Sequence, residues 1–453
     1  MIIKSMFIDR EDELNSLENF NAEERAQLLI LYGRRRMGKT TLLQHFIADK
    51  RSIFFIADAS DNILDTFSEI ASQKFNYVKF SNWDDFFNFL YSISKNERFI
   101  VVIDEFQYLY NVFRAWPTVL QRHWEGLKNT KIFLILSGSL ILSIYRISLG
   151  YGSALYGRKT GEMNIAPLNF INSSEFFNIS YAETSKIFMI LGGVPRYLEE
   201  FTYKTLKENL INRILNKNSY LYNEPLNLLF EEYRDITSYF SVLSSIANGA
   251  SSFNEISLKS HIAQNKLSKV LNVLERSEII RKEPPLLTGN KKNHIYYIKD
   301  NFFAFWFRFV YPYKSLLELN NIEYVYDKIN KDINTYYGHR FEFIARELLL
   351  KYSIMPFDIF YLGRSWKKSR SGEVYEFDIV VQDADKIYTG IFEVKYKKLN
   401  YNGAKSILIN MINNYNEIYP GKKAFFGIIA LKIEEKQKLT GEGYYCIDLD
   451  DIR

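Results

Sequence analysis

The segment from Gly33 to Thr40 constrains this chain more than any other part of its sequence. Its letters, GRRRMGKT, match the pattern G-x-x-x-x-G-K-[ST], in which glycines let the backbone turn so that its N–H groups point at phosphate oxygens. The apolar run Leu28–Tyr32 before it predicts a buried strand, and the residues after it predict a helix from Thr40 to about Ala48. A strand, a glycine loop and a helix in this order predict a nucleotide-phosphate site.

Within this loop, Lys39 is expected to reach the β- and γ-phosphates, and the Thr40 hydroxyl is expected to ligate Mg²⁺. No Asn-Lys-x-Asp motif, which would read guanine, occurs in the chain, so ATP is favoured over GTP. The other residues expected to line the nucleotide are Gly33, Arg34, Arg35, Arg36, Met37, Gly38 and Thr41.

A second apolar strand ends in two acids. Phe99–Ile103 predicts a buried strand, and Asp104 and Glu105 follow it. We expect Asp104 to hold Mg²⁺ through water and Glu105 to polarise the attacking water. An acid at this position can also be a simple helix N-cap, but the phosphate loop upstream favours the catalytic interpretation.

Three residues are candidates for sensing or stabilising the γ-phosphate. Ser137 and Ser139 follow the predicted strand Ile132–Leu136, and either hydroxyl could serve, although a small turn explains them equally well. Arg158 is a candidate arginine finger, either in its own chain or from a neighbouring subunit of a homo-oligomer joined through this region. A surface arginine is an equal alternative.

Short apolar runs alternate with amphipathic stretches up to about Ile165, which predicts a parallel sheet covered by helices. The chain has 453 residues, 47% hydrophobic and 25% charged, which is typical of a globular protein with more than one core. Its single cysteine, Cys446, excludes a disulfide framework and fits a reducing, cytoplasmic compartment. No apolar run is long enough for a membrane span, so no membrane partner is expected.

Between Ile236 and Asp300 the pattern is helix, short helix, helix and two strands, which predicts a winged helix-turn-helix. The spacing of Ser252 and Glu255 predicts a capping box at the start of the second helix. The segment is basic, and the lysines expected to contact DNA phosphates are Lys266 and Lys269 on the third helix and Lys291 and Lys292 in the wing. The alternative is an internal lid of the ATPase with solvated lysines.

Farther along, Val374–Gln382 and Ile387–Tyr396 predict two strands joined by a tight turn at Asp383–Lys386. If Asp383 pairs with Lys386, Asp378 lies opposite Ile391. The period of two then predicts two faces. The acidic face holds Glu376, Asp378, Glu393 and Lys395, and the core face holds Phe377, Ile379, Phe392 and Val394.

The order Asp378, Glu393, Lys395 is the D…E-x-K spacing of restriction-endonuclease-like nucleases. Two carboxylates would hold Mg²⁺, which activates water, and the lysine would steady the hydroxide or the scissile phosphate. Glu342, on the preceding predicted helix, is a candidate further metal ligand. The alternative is a solvated hairpin face with a Glu–Lys cross-strand pair, and a one-residue bulge would move half of the face to the other side.

Several of these segments together resemble the archaeal ATPase family, a branch of the STAND/AAA+ P-loop proteins. The resemblance implies an ATPase core whose nucleotide state is coupled through Gly192–Leu198 to a following winged helix, with Arg196 as a candidate second sensor. It also implies a C-terminal restriction-endonuclease-like domain. The segments are Phe7–Leu14 (FIDREDEL), GRRRMGKTTLL, VVIDEFQYL, Tyr156–Arg158, Gly192–Leu198 (GGVPRYL) and Asp300–Trp306.

The sequence therefore predicts a multidomain α/β protein. The favoured function is an ATP-driven, DNA-associated switch, with nuclease activity left open. The alternatives are a signalling ATPase whose C-terminal domain binds a protein partner, and a nucleotide-controlled winged-helix transcription regulator. The predicted domains are a P-loop ATPase core (1–165), a helical lid (166–235), a winged helix-turn-helix (236–300), linker helices (301–335) and a nuclease-like domain (336–453).

Overall fold

The computed structural model of the protein describes residues 9–233, 235–288, 293–368 and 373–452. These residues form two compact units. The first runs to Pro167 and includes Val194–Arg196, and the second holds Leu168–Gly193 and the residues from Tyr197 onward. Lys291 and Lys292 lie outside the described residues.

The first unit is built on a five-stranded sheet in which every neighbouring pair of strands is parallel, as predicted. Its strand order is β2-β3-β4-β1-β5. Since parallel strands end at the same edge, the loop after β1 and the acids at the end of β3 lie at one edge, with β4 between them. The strands are β1 (Gln27–Tyr32), β2 (Ser52–Ile56), β3 (Phe99–Asp104), β4 (Ile132–Gly138) and β5 (Gly161–Asn164).

Helices cover this sheet because its central strands are apolar on both faces; β3 and β4 are buried along their whole length. Aromatic side chains fill one interface, where the rings of Phe55 and Phe67 stack at 4.5 Å between centroids. A π-helical turn, Tyr145–Leu149, continues the last helix. The helices are α1 (Glu11–Ala22), α2 (Lys39–Ile47), α3 (Ile63–Ser72), α4 (Trp83–Ser94), α5 (Gln107–Val112), α6 (Trp116–Leu127) and α7 (Ile141–Ile144).

Helices dominate the chain from Leu168 to Arg276. The helix Tyr181–Leu191 begins with a capping box of Ser180 and Glu183, and the predicted capping box of Ser252 and Glu255 is present. The helices are α8 (Phe170–Ser174), α9 (Tyr181–Leu191), α10 (Pro195–Glu200), α11 (Leu206–Asn209), α12 (Glu224–Glu232), α13 (Thr237–Ala247), α14 (Phe253–Ser260) and α15 (Gln264–Arg276), with a π-helical segment at Leu210–Leu215.

Two antiparallel strands follow α15, and more helices lead to the C-terminal sheet. The long helix α18 (Ile322–Tyr352) carries the buried side chains of Arg340 and Glu342, and His339 next to them is exposed. None of the helices in the described ranges combines the length and hydropathy that crossing a bilayer requires. These elements are β6 (Ile280–Glu283), β7 (Ile295–Ile298), α16 (Asn301–Phe305), α17 (Lys314–Glu318) and α18 (Ile322–Tyr352), with a π-helical segment at Trp306–Val310 and a 3₁₀ turn at Tyr311–Tyr313.

The C-terminal sheet has the order β12-β11-β10-β9-β8. Strands β8, β9 and β10 are antiparallel, and β10, β11 and β12 are parallel. Helix α19 packs its apolar side, including Leu408 and Tyr415, on this sheet. The elements are β8 (Tyr361–Lys368), β9 (Val374–Gln382), β10 (Thr389–Leu399), α19 (Tyr401–Ile418), β11 (Phe425–Ile433), α20 (Lys436–Gly441) and β12 (Tyr445–Asp448).

The predicted register of β9 and β10 is wrong by two residues. Ile391 pairs with Val380, so continuing the register places Asp378 opposite Glu393 and not opposite Ile391. The Lys386 N–H does donate to the carbonyl oxygen of Asp383 at 3.2 Å, but Asp383 is paired with Tyr388, whose N–H donates to the Asp383 side chain at 2.8 Å. The loop is therefore two residues longer than predicted. A shift of two residues leaves every side chain on its predicted face, because the strand period is two.

A bulge in β9 corrects the predicted core face. Gly363 of β8 pairs with Val380, but Ser365 pairs with Phe377, so two residues of β9, Asp378 and Ile379, oppose Arg364. Phe377 consequently packs with Val380 and Ile391 in the cluster under α19. The prediction that Phe377 shares a face with Ile379 is therefore wrong, because the extra residue reverses the alternation beyond it.

Candidate functional site

The loop between β1 and α2 has the backbone that its glycines permit. Gly33 and Gly38 have positive φ angles, and Arg36 adopts a left-handed conformation at 71°. A side chain at Gly33 would place Cβ 2.5 Å from the carbonyl oxygen of Ile165, so only glycine fits there. The loop is held in a shape whose amides can surround a phosphate.

Lys39 lies in the centre of this loop and is 5% exposed. Its ammonium donates to the carbonyl oxygens of Gly33 at 2.8 Å and of Arg34 at 3.0 Å. Burial lowers the pKa of Lys39 to about 8, although the charges of Glu105 and Asp104 act in the opposite direction. The loop carbonyls give the buried ammonium of Lys39 only partial negative charge, whereas a bound phosphate would give it a full negative charge as a partner.

The acids at the end of β3 face the first turn of α2. The Thr40 hydroxyl donates to Oδ2 of Asp104 at 2.6 Å, and Oδ1 of Asp104 accepts from the N–H of Glu105 at 3.0 Å. Glu105 itself has a left-handed backbone with φ of 54°. Two oxygen donors that meet in this way fit a hard cation such as Mg²⁺.

The side chain of Glu105 is held by two neighbours. The Ser139 hydroxyl donates to Oε2 of Glu105 at 2.6 Å, and the Gln107 amide donates to the same oxygen. Ser137, the other sensor candidate, lies inside β4, and its buried hydroxyl has no hydrogen-bond partner among the residues that the structure describes. Of the two serines, Ser139 is the one that contacts the acid pair.

Arg10, which was not among the predicted site residues, also contacts the phosphate loop. It is buried, and its Nη2 donates to the carbonyl oxygens of Met37 at 3.1 Å and of Ala166 at 2.9 Å. Arg35 donates to the hydroxyl of Tyr108 at 2.6 Å. The only sequence signal for Arg10 is its place in the FIDREDEL segment, so these contacts hold the loop through residues distant in sequence.

Arg158 lies near the beginning of β1, at the end of that strand opposite the phosphate loop. Arg158 precedes β5, and the next residue but one, Thr160, bonds to Leu28 at the beginning of β1. The phosphate loop follows the other end of β1, which is about 20 Å away for a strand of this length. Arg196, the second candidate, is exposed on α10, and Thr41 is exposed on α2.

A second constellation forms in the C-terminal sheet. The Lys395 ammonium lies 2.5 Å from Oε1 of Glu393 and 3.9 Å from Oδ2 of Asp378, and Asp378 also accepts from the N–H of Val394 at 2.9 Å. Burial and the charge of Asp378 raise the pKa of Glu393. Burial would lower the pKa of Lys395, but the neighbouring carboxylates outweigh it and raise that pKa. A cation already lies between these two carboxylates.

The carboxylates of Glu342 and Glu376 lie close to the guanidinium of Arg364. Glu342 accepts from Nε of Arg364 at 2.8 Å, and Oε1 of Glu376 lies 3.7 Å from Nη1. Burial raises the pKa of Glu342 to about 7 against the opposing effect of Arg364. No group of three or more His, Cys, Asp or Glu within residues 9–233, 235–288, 293–368 and 373–452 is arranged to hold a metal ion. Asp378 and Glu393 therefore form a two-carboxylate pair.

The lysines on α15 are accessible. Lys266 and Lys269 are exposed, while Leu267 and Val270, each the next residue in sequence, are buried. This alternation follows from the helical period, which turns the basic side chains away from the apolar stripe.

The sheet order, the glycine loop and the acid pair at the end of β3 define a P-loop ATPase domain. The pattern of a family described as an ATPase domain predominantly from Archaea matches residues 7–201. A second pattern, described as archaeal and bacterial proteins of unknown function, matches residues 306–407.

Several known proteins are similar to this chain. The protein MJECL04 of Methanocaldococcus jannaschii is 33% identical over 453 residues, which is 95% of this chain and 97% of that protein. The ATP-binding protein MJ0423 of the same organism is 50% identical over 46 residues, 10% of this chain and 78% of that protein. The Walker-type ATPase PABY2304 of Pyrococcus abyssi superposes with a TM-score of 0.50 at 21% identity, over 67% of this chain and 96% of that one. The chain belongs to the archaeal ATPase family.

Proposed function

We propose that this protein is a Mg²⁺-dependent ATPase whose nucleotide cycle switches a DNA-associated C-terminal region. The observation that carries the proposal is the contact of Thr40 with Asp104 beside the buried ammonium of Lys39. In this arrangement Lys39 binds the β- and γ-phosphates, and Thr40 and Asp104 hold Mg²⁺. The bound ion supplies charge neutralisation of the phosphates.

Glu105 is the proposed base that polarises the attacking water. Its hydrogen bonds from Ser139 and Gln107 hold the carboxylate at the edge of the sheet where the γ-phosphate would arrive. We propose Ser139, in preference to Ser137, as the residue that senses the γ-phosphate, because its hydroxyl links that position to Glu105. Such a link changes when the phosphate is lost, which is what a nucleotide switch requires.

Arg158 is proposed to act in trans. This proposal is supported by the position of Arg158 at the end of β1 opposite the phosphate loop, from which a neighbouring copy would be easier to reach than its own nucleotide. Tyr151 and Tyr156 beside it are 94% and 46% exposed, which is unusual for large aromatic side chains outside an interface. A homo-oligomer formed through the ATPase domain would bury these rings.

We propose that α13, α14, α15 and the hairpin β6–β7 form a winged helix that contacts DNA. The exposed Lys266 and Lys269 on α15 support this proposal, because a recognition helix presents its cations on the side away from the core. Lys291 and Lys292, which fall between β6 and β7 in the sequence, are expected to add phosphate contacts. In this scheme residues 166–235 form a helical lid, 236–300 the winged helix and 301–335 linker helices.

The C-terminal sheet, within residues 336–453, is proposed to be a nuclease-like domain. Asp378 and Glu393 are the proposed ligands of a Mg²⁺ ion, and Lys395 is the proposed group that steadies the hydroxide or the scissile phosphate. The ammonium between the two carboxylates supports the fit, since the same pair of oxygens would attract a divalent cation. Glu342 is a proposed additional ligand only when it no longer binds Arg364, which it contacts in this structure.

A partner-binding function for the C-terminal domain is the second candidate. Phe360, Ile387 and Tyr388 are 68%, 69% and 50% exposed, close to the loops before β8 and β10. Exposed apolar side chains of this size favour a protein contact. The second candidate function is therefore a signalling ATPase whose C-terminal domain binds a protein partner.

One experiment separates these functions. The rate of ATP hydrolysis is measured with no DNA, with single-stranded DNA and with duplex DNA, in Mg²⁺, for the wild type and for Glu105→Gln. Stimulation by DNA that disappears in Glu105→Gln supports the DNA-associated switch. A rate that DNA does not change at low salt contradicts it and favours the signalling ATPase.

A further inference from the structure

Arg364 makes two kinds of contact at the edge of the acidic face. Its Nε donates to Oε2 of Glu342 at 2.8 Å, and its Nη2 donates to the same oxygen. The Arg364 and Glu342 side chains are 18% and 9% exposed, so the pair is largely shielded from water. Arg364 also stands opposite the bulge of β9 that contains Asp378. It is therefore placed between Glu342 and the candidate metal ligands.

The backbone of Arg364 is tied to the hairpin β6–β7. Its N–H donates to Oε1 of Glu283 at 3.1 Å, and its carbonyl oxygen accepts from the N–H of Leu286 at 2.8 Å. Glu283, at the end of β6, also pairs with Arg346 of α18 at 3.0 Å. A displacement of the hairpin would therefore move Arg364 directly.

Glu342 is near the acidic face but is not part of a metal group. Its charge interacts with that of Asp378 and with that of Lys395. Within the described ranges, however, no three acids are arranged around a common point. Glu342 would be the third acid beside Asp378 and Glu393, but its carboxylate is bound by the guanidinium of Arg364.

We infer that Arg364 is a positioning residue that withholds Glu342 from the metal ion, and that a DNA phosphate releases Glu342 by competing for the guanidinium. The inference rests on the proposed metal site of Asp378 and Glu393. A guanidinium binds phosphate and carboxylate with the same two-donor geometry, so one can replace the other. A third carboxylate raises the affinity of a site for a hard divalent cation. The site would thus bind metal tightly only when nucleic acid is present.

The test is calorimetric titration of the full chain with Mn²⁺, without DNA or nucleotide. The heat that is lost in Asp378→Asn identifies binding at this site. We expect Arg364→Met to bind Mn²⁺ about tenfold more tightly than the wild type. The gain is absent in the double variant Arg364→Met with Glu342→Gln. Lys368→Met removes a positive charge from the same strand at an exposed position and is expected to match the wild type.

Glu342→Gln alone decides the question if Arg364→Met does not fold. Without DNA this variant is expected to bind Mn²⁺ like the wild type, because Glu342 is not yet a ligand. Adding a short DNA duplex is expected to tighten Mn²⁺ binding in the wild type and to leave Glu342→Gln unchanged.

Three results would overturn the inference. Weaker binding by Glu342→Gln without DNA would mean that Glu342 is already a ligand. A gain that persists in the double variant would be a general effect of charge. If DNA does not tighten Mn²⁺ binding in the wild type, DNA phosphate does not compete with Glu342 for Arg364. If neither the wild type nor any variant binds Mn²⁺ in a manner that depends on Asp378, the proposed metal site itself fails.

Discussion

The hydroxyl of Thr40 donates a 2.6 Å hydrogen bond to Oδ2 of Asp104, although the two residues are 64 positions apart in the sequence. The contact joins the first turn of α2 to the end of β3, across the intervening strand β4. Both oxygens are of the type that Mg²⁺ prefers. Nucleotide chemistry in this protein is therefore expected to depend on this edge of the sheet.

Removing the Lys39 ammonium should abolish ATP binding, because the loop loses the cation that contacts the β- and γ-phosphates. We expect Lys39→Ala to show no saturable binding of a fluorescent ATP analogue. Lys95→Ala, at an exposed position, is the matched control and should bind normally. Wild-type affinity in Lys39→Ala would refute the assignment.

The same residue should make ATP affinity depend on pH. The pKa of Lys39 is lowered to about 8, so the ammonium loses its proton above that pH in the free protein. Only the protonated form attracts phosphate, and affinity should therefore fall between about pH 7 and about pH 9. Equilibrium titrations across this range test the effect. An affinity that is constant across it would contradict a role for the buried ammonium.

Glu105→Gln should retain ATP binding and lose hydrolysis, because an amide cannot polarise water as a carboxylate does. The loss expected for such a group is about 10²- to 10³-fold in kcat. Phosphate release and analogue binding are measured side by side, with Glu125→Gln as a control at an exposed position. An unimpaired rate of hydrolysis in Glu105→Gln would mean that another residue is the base.

The acidic pair of the C-terminal sheet should respond to Mg²⁺. Asp378→Asn and Glu393→Ala are expected to leave ATPase activity intact and to remove both the Mg²⁺-dependent rise in Tm and any cleavage of DNA. Lys395→Ala should keep the metal-dependent rise and slow cleavage, because it acts on the developing charge. Thermal melts and a nicking assay on branched and linear DNA provide the measurements.

A purely structural hairpin gives a different result for these variants. Loss of the Glu393–Lys395 pair would cost about 0.2–1 kcal/mol of stability, and Mg²⁺ would change nothing. A wild type with no Mg²⁺-dependent melting shift and no cleavage would reduce the domain to a binding module.

The four lysines assigned to DNA should act through phosphate neutralisation. Changing Lys266, Lys269, Lys291 and Lys292 to Ala is expected to lower affinity at low salt and to flatten the slope of log affinity against log salt by about one unit for each lost contact. Lys328 and Lys331, on α18, are the control pair. An unchanged slope would mean that this region is a lid.

Glu347 should give the protein a pH-dependent stability. Burial raises its pKa to about 7, although the N–H of Phe170 donates to it at 2.7 Å. The folded state therefore binds the proton more tightly than the unfolded state, and stability falls as pH rises from 4.5 to about 7. The fall expected from this group is about 3 kcal/mol.

Denaturant unfolding at several pH values measures this slope. Glu347→Gln should flatten it, because the amide does not titrate and can still accept from Phe170. Glu434→Gln, at an exposed position, should leave the slope unchanged. Equal slopes in the wild type and Glu347→Gln would contradict the assignment.

The sequence by itself determined the features that depend on local pattern. A glycine loop of fixed spacing after an apolar run is a strand, a turn and a helix wherever it occurs, and the acids after Phe99–Ile103 fall at the same edge because parallel strands share their direction. The association of Asp378, Glu393 and Lys395 was also predictable. The predicted register was wrong by two residues, but the three side chains still come together because side chains along a strand alternate with a period of two.

Only the tertiary structure decided the contacts between distant segments. The contact of Ser139 with Glu105, the bonds of Arg10 to the phosphate loop and the position of Arg158 near the beginning of β1 have no local signal. The bulge opposite Arg364 likewise depends on how β8 and β9 pair, and it moves Phe377 to the other face. Such features arise when separate elements pack together, and a pattern within one element does not contain them.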